Sequence, residues 1–157
     1  MPTEIERKFL LKNNNWKPLV ARSYILKQGY LSTQPERSVR VRIKGGKGIL
    51  TIKGKTEGIA RAEYEYEIPV VEANELLQLC EKPIIEKTRY EVLQGDRTWE
   101  IDIFEGVNKG LSMAEIELKS EKETLEAPDW IGEEVSDDFR YFNASLVKHP
   151  YSMWSHE

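Results

Sequence analysis

Apolar and polar residues alternate at every second position through most of the chain, the period of a strand with one dry face. The alternation predicts strands over Thr3–Leu11, Arg22–Leu31, Ser38–Lys44, Gly48–Lys55, Ala60–Val70, Ile84–Leu93, Thr98–Glu105 and Ser112–Lys119. Gly45-Gly46-Lys47-Gly48 and Gln94-Gly95-Asp96 mark tight hairpins, because glycine reaches the positive φ that such turns demand. Helical spacing is confined to Val71–Cys80, which ends ahead of Pro83, and to a C-terminal stretch that Ser136 caps and Pro150 stops. The pattern is that of an α+β chain, mainly antiparallel β. Eight strands suffice to close a β-barrel with helices packed outside it and a C-terminal helix.

Residues i, i+2 and i+4 of a strand share a face, so the charges can be sorted by parity. Glu4, Glu6 and Lys8 oppose Ile5, Phe9 and Leu11; Arg40 and Arg42 oppose Val39, Val41 and Ile43; Lys53 opposes Leu50 and Ile52. Glu63 and Glu65, Lys87 and Arg89, Glu100 and Asp102, and Glu115 and Glu117 are likewise paired on single faces. The wet side of an open sheet would give the same alternation. The composition argues against that: like charges come as doublets on one strand, close enough to repel. A sheet curled around a hollow lets acidic strands answer basic ones. Arg40, Arg42, Lys53, Lys87 and Arg89 would then suit a chain of phosphates. The carboxylates Glu4, Glu6, Asp102, Glu115 and Glu117 would repel that ligand unless a divalent cation lay between, and hard oxygen donors suit Mg²⁺ or Mn²⁺.

Composition narrows the classes further. The chain's 157 residues are expected to form a single domain spanning 1–157. A net charge of −4 argues against a general nucleic-acid surface, and the lone Cys80 excludes an internal disulfide or a cysteine zinc cluster. The opening MPTEIERKFL has no apolar signal core and no stretch approaches membrane-spanning length, so the expectation is a cytoplasmic protein with no membrane partner. Tyr64, Tyr66, Tyr90 and Trp99 fall on the apolar parity, which assigns them to packing under helices or to a subunit contact, such as that of a homodimer, instead of base stacking. Gly54-Lys55-Thr56 ends like a phosphate-binding P-loop, but Ile49 stands where that pattern requires glycine and the segment alternates as a strand. His149 and His156 lack a partner histidine at ligand spacing, and Trp130 reads as a packing anchor.

Glu4-Ile5-Glu6-Arg7-Lys8 resembles the ExExK signature of the CYTH superfamily, the triphosphate tunnel metalloenzymes. The resemblance continues through Val39–Arg42, Leu50–Lys53, Glu63–Glu65, Glu86–Tyr90, Glu100–Phe104, Ala114–Glu117, Trp130–Val135 and Phe139–Tyr141. It implies an eight-stranded antiparallel tunnel, a divalent metal and a small-molecule triphosphate substrate. By position, Glu4, Glu6, Asp102, Glu115 and Glu117 resemble the metal-binding carboxylates, and Arg40, Arg42, Lys53, Lys87 and Arg89 the phosphate-binding set. Lys8, Glu63, Glu65 and Arg140 fall at further lining positions, Lys8 beside the catalytic Glu4 and Glu6, Arg140 toward substrate, Glu63 and Glu65 as support. Among the family's activities the short chain resembles the compact bacterial hydrolases of inorganic triphosphate. The alternatives are a class IV-type adenylate cyclase, a nucleoside or thiamine triphosphatase, and a polyphosphate- or nucleotide-binding module without turnover.

Overall fold

A computed structural model of the chain describes residues 2–154; His156 lies outside the described residues. The elements in order are β1 (Thr3–Leu11), β2 (Val20–Ser32), β3 (Arg37–Lys44), β4 (Lys47–Gly54), β5 (Ala60–Ile68), α1 (Val70–Leu79), β6 (Glu81–Gln94), β7 (Arg97–Phe104), β8 (Ser112–Glu117), β9 (Ile131–Glu134) and α2 (Asn143–Lys148). Neighbouring strands run in the order β5-β4-β3-β2-β6-β7-β8-β1-β9, and β5 pairs again with β1. That second pairing, through Thr3↔Ala62, Glu4↔Arg61 and Ile5↔Ala60, closes β1–β8 into an antiparallel barrel.

The first eight strands fall within a few residues of their predicted bounds. Both glycine turns form where expected: Gly45 has φ 61° and Gly95 φ 62°, the left-handed region a two-residue hairpin needs. Gly48 has a different task. A Cβ there would lie 2.7 Å from the Ala73 Cβ and 2.9 Å from the Ile68 carbonyl oxygen, so the missing side chain lets α1 seat on β4.

The apolar parity faces outward, and the hydrophobic cores lie outside the barrel wall. Phe9, Trp99, Ile101, Ala114 and Ile116 are covered by Trp16 and Trp130, with Trp99 edge-on to both Phe9 and Trp130. Val41 lies under Ala73 and Leu77 of α1. Helices therefore cover less of the wall than the sequence suggested: irregular segments around Trp16 and Trp130 do much of it, and Tyr64 and Tyr66 remain exposed.

The C-terminal region departs most from expectation. Ile131–Glu134 forms a ninth strand on β1, fixed by burial of Trp130 and Ile131 and by Arg7, whose Nε and Nη2 reach the Glu134 carboxylate at 2.9 and 2.6 Å. Ser136 caps no helix; its hydroxyl accepts from the Lys8 backbone N–H at 2.9 Å. A short 3₁₀ turn over Phe139–Tyr141 and then α2 replace the single predicted helix. Leu146 and Val147 of α2 pack on Tyr30, Ile85, Phe104 and Met113. Those four share faces with the charged residues, at the end of the barrel where β2 and β7 finish and β6 and β8 begin. That end of the barrel is closed by an apolar plug.

Candidate active site

The remaining interior is a cavity of about 490 Å³, within the range of small-ligand sites. Its wall includes Glu4, Glu6, Lys8, Arg40, Arg42, Lys53, Glu63, Glu65, Lys87, Arg89, Glu115 and Glu117, so most of the predicted residues meet in one space. Period-two geometry delivers them, because each strand turns one parity inward and closure of the sheet makes those faces converge.

One wall is acidic. Register sets Glu6 directly opposite Glu117 across β1 and β8, and Glu115 opposite Glu100 across β8 and β7. Like charges placed so are unfavourable. Burial, then Glu4, Glu6 and Glu100, lift the Glu117 carboxyl above the ordinary glutamate value, and Glu100 is lifted in the same way by burial and by Glu115, Asp102 and Glu6 against the pull of Arg89. Glu100 was missed as a site residue; its place between Trp99 and Ile101, on the parity of Asp102, was the available signal. Lys8 bridges this wall, its Nζ 3.0 Å from Glu6 and 2.9 Å from Glu115. Burial opposes the charge on Lys8, but the two carboxylates outweigh it and hold the ammonium well above the usual lysine range. Lys53 reaches Glu4 at 2.8 Å and Glu63 at 3.4 Å.

The facing wall is basic and crowded. Burial, then the like charges of Arg40 and Arg89, press Arg42 below the ordinary arginine value. The buried Nε of Arg40 has no hydrogen-bond partner among the described residues, while its Nη2 touches Thr51 at 3.1 Å and lies 3.8 Å from Glu65. A buried donor without a protein partner, on a wall crowded with cations, suits the oxygens of an anion.

Two expectations are corrected. Asp102 is 0% exposed and is not part of the cavity wall. Its Oδ1 accepts from Arg89 Nε at 2.7 Å, and its Oδ2 from Arg89 Nη2 at 2.8 Å and Lys87 Nζ at 2.7 Å, so the carboxylate serves as an internal counter-ion to two buried cations. Burial opposes its charge; Arg89 and Lys87 outweigh that and pull the carboxyl down to about 2. Arg140 is exposed and forks onto Asp138 two residues away, with Nη2 2.6 Å from Oδ2, outside the cavity wall.

A closed antiparallel barrel with a lumen lined by opposed acidic and basic walls has the architecture of a charged binding tunnel. The CYTH domain model matches residues 2–151, and the chain belongs to the CYTH family. It is 53% identical over 152 residues to an inorganic triphosphatase of Acetivibrio thermocellus, covering 96% of this chain and 97% of that protein. It is 38% identical to an inorganic triphosphatase of Nitrosomonas europaea, over 92% and 97% of the two chains. The crystal structure of an inorganic triphosphatase superposes with a TM-score of 0.65 at 34% identity, over 92% of this chain and 97% of that one.

Family membership implies a divalent metal, and the acidic wall can be tested for it. Among the described residues no three Asp, Glu, His or Cys side chains form a ready-made metal site. The wall nevertheless fits a hard cation: it presents only carboxylate oxygens, and its acid-against-acid pairs carry negative charge that Lys8 and Lys53 do not fully balance. A site with one or two protein carboxylates, completed by phosphate oxygens and water, matches that arrangement.

Proposed function

We propose that the chain is a metal-dependent inorganic triphosphatase, hydrolysing triphosphate to pyrophosphate and orthophosphate inside the lumen. The observation that carries this reading is the meeting of an acidic and a basic wall in one plugged cavity, with the buried Nε of Arg40 left unpaired. Arg40, Arg42, Lys53, Lys87 and Arg89 bind the phosphate oxygens and stabilise the charge that gathers on the leaving pyrophosphate. One or two of Glu4, Glu6, Glu115 and Glu117 would hold the metal, which would supply charge neutralisation on the phosphates and activation of water. Bonding to one or two carboxylates and substrate oxygens favours Mg²⁺ over an ion that seeks an all-protein cage.

Burial, then Glu4, oppose the charge on Glu6, but Lys8 and Lys53 together outweigh them and hold its carboxyl below the ordinary value. It suits holding charge and orienting the attacking water. The water's proton passes to a neighbouring carboxylate, and Glu117, with its raised affinity for protons, is better suited to accept it. Lys8 ties Glu6 to Glu115 and fixes the spacing of the acidic wall.

The test is a panel of triphosphate, ATP, thiamine triphosphate and longer polyphosphate with Mg²⁺ or Mn²⁺, scored for orthophosphate, pyrophosphate and cyclic nucleotide. Metal-dependent orthophosphate release is expected, fastest from triphosphate, and Glu6→Gln is expected to lower kcat by at least about a hundredfold through loss of charge and water orientation together. A cyclic product from ATP without orthophosphate, or full activity in Glu6→Gln, overturns the assignment.

A further inference from the structure

Besides the charged walls, a pair of uncharged side chains ties the lumen to its plug. Gln28 of β2 is 0% exposed and stands behind the wall. Its Oε1 accepts from Arg42 Nε at 2.7 Å, and its Nε2 donates to Asn143 Oδ1 at 3.2 Å. Asn143 is the first residue of α2, and the same Oδ1 accepts from Lys87 Nζ at 2.9 Å. The result is a continuous run Arg42–Gln28–Asn143–Lys87 that joins two cations of the phosphate site through two amides.

The direction of both amides follows from chemistry. Guanidinium and ammonium groups have no acceptor, so each amide must turn its oxygen toward its cation; the Gln28 nitrogen then faces away, where the Asn143 oxygen receives it. A flipped Gln28 would set N–H against N–H at Arg42. Amides also differ from Asp102 in what they leave behind. Asp102 compensates the charge of Lys87 and Arg89, whereas Arg42 has no carboxylate partner among the described residues, and the Gln28 amide fixes its direction while leaving its charge available to a ligand. Arg42 is held through Nε, and no protein hydrogen bond is recorded for its terminal nitrogens among the described residues, which leaves the fork free to grip phosphate oxygens.

Resting on the triphosphate reading, we propose that Gln28 and Asn143 are positioning residues, a neutral relay that aims Arg42 and Lys87 at the substrate and makes the α2 plug part of the phosphate site. The relay acts on substrate binding, and each end depends on the other. Gln28→Met removes the amide at nearly constant volume, and Asn143→Ala removes the shared acceptor.

Each variant is measured for Tm, for KM and kcat with triphosphate and Mg²⁺, and for the Kd of triphosphate by calorimetry in EDTA. Each single change is expected to raise KM and Kd roughly tenfold with kcat nearly unchanged, the scale of one lost charge-assisted hydrogen bond. In an Arg42→Lys background, which keeps the charge but has no Nε, Gln28→Met is expected to raise KM and Kd by a clearly smaller factor, the part carried through Asn143 to Lys87. A purely structural Gln28 would lower Tm and leave KM and Kd within about twofold, or act by the same factor in both backgrounds, and either result overturns the relay. If the parent binds triphosphate without hydrolysing it and Gln28→Met weakens that binding, the relay stands and the hydrolase reading fails. If the parent neither binds nor hydrolyses it, both fail.

Discussion

Replacing Asp102 by Asn separates two roles for that residue, metal ligand and internal counter-ion, and the structure sets the size of the effect. Three charge-assisted hydrogen bonds converge on the carboxylate, two at Oδ2 and one at Oδ1. Asparagine has one acceptor oxygen. Placing it at the Oδ2 position keeps the contacts from Lys87 and Arg89 Nη2 but sets an NH₂ group against Arg89 Nε. The larger loss is the charge, since Lys87 is 1% exposed and Arg89 6%, and the nearest other carboxylates to Arg89 are Glu100 at 3.2 Å and Glu115 at 3.9 Å. Stripping the partner from a buried ion pair costs about 3–5 kcal/mol. For a domain of this size that corresponds to a fall in Tm of roughly 6–20 °C. Thermal unfolding of parent and Asp102→Asn at pH 7 in EDTA reads this directly, free of any metal contribution. A Tm within about 2 °C of the parent, together with lost metal dependence of turnover, would refute the counter-ion argument and restore Asp102 as a ligand.

Arg140→Ala is expected to leave KM for triphosphate within about twofold, because an exposed pair with Asp138 contributes little; steady-state kinetics checks it. Gly48→Ala should destabilise by about 1–3 kcal/mol through overpacking against Ala73 and the Ile68 carbonyl, seen as a lower urea midpoint. In EDTA, Tm should rise as pH falls from 6 toward 5: the folded state holds protons on Glu100 and Glu117 more tightly than the unfolded chain does, so their protonation favours folding, while Lys87, pressed down to about 7 by burial and by Arg89 and Arg42, acts in the opposite sense above that window. Below the ordinary carboxylate range the sign reverses, because Glu6, Glu115 and Asp102 have lowered values, Asp102 falling from 3.8 to about 2, and the stability they contribute is lost as they protonate. Saturating Mg²⁺ should flatten the rise, and a Tm that falls steadily from pH 6 to pH 4 in EDTA contradicts the acidic-wall electrostatics.

Parity made the barrel legible. Each strand states its own inward set, and the glycine turns fix where strands reverse, so Glu4, Glu6, Arg40, Arg42, Lys87 and Arg89 could be placed on one surface from local pattern alone. Parity does not give depth. Asp102 and Glu100 share a face of β7, yet one is sealed behind Lys87 and Arg89 and the other borders the cavity, a distinction set by stagger between strands. Gln28 was invisible for a related reason: a polar residue in a strand reads as solvent-facing until its partners arrive from β3 and α2. The C-terminal error had a physical source as well. Ser136, Asp137 and Asp138 make a plausible helix start, but Asp138 is spent on Arg140 and Ser136 on β1, and the hydrophobic demand of Trp130 and Ile131 draws the preceding segment into β9.

β1 pairs with three strands: β8 along Glu6–Phe9 on one edge, and on the other β5 beside its beginning and β9 beside its end. Residues 60–62, 114–117 and 131–134 supply those contacts. In folding, then, the segment bearing Glu4, Glu6 and Lys8 is completed only when partners as distant in sequence as residues 131–134 have come into place. Such distant pairings fold slowly and leave an unsatisfied strand exposed in the meantime, so the strand that contributes Glu4 and Glu6 stays open to wrong partners until the barrel shuts.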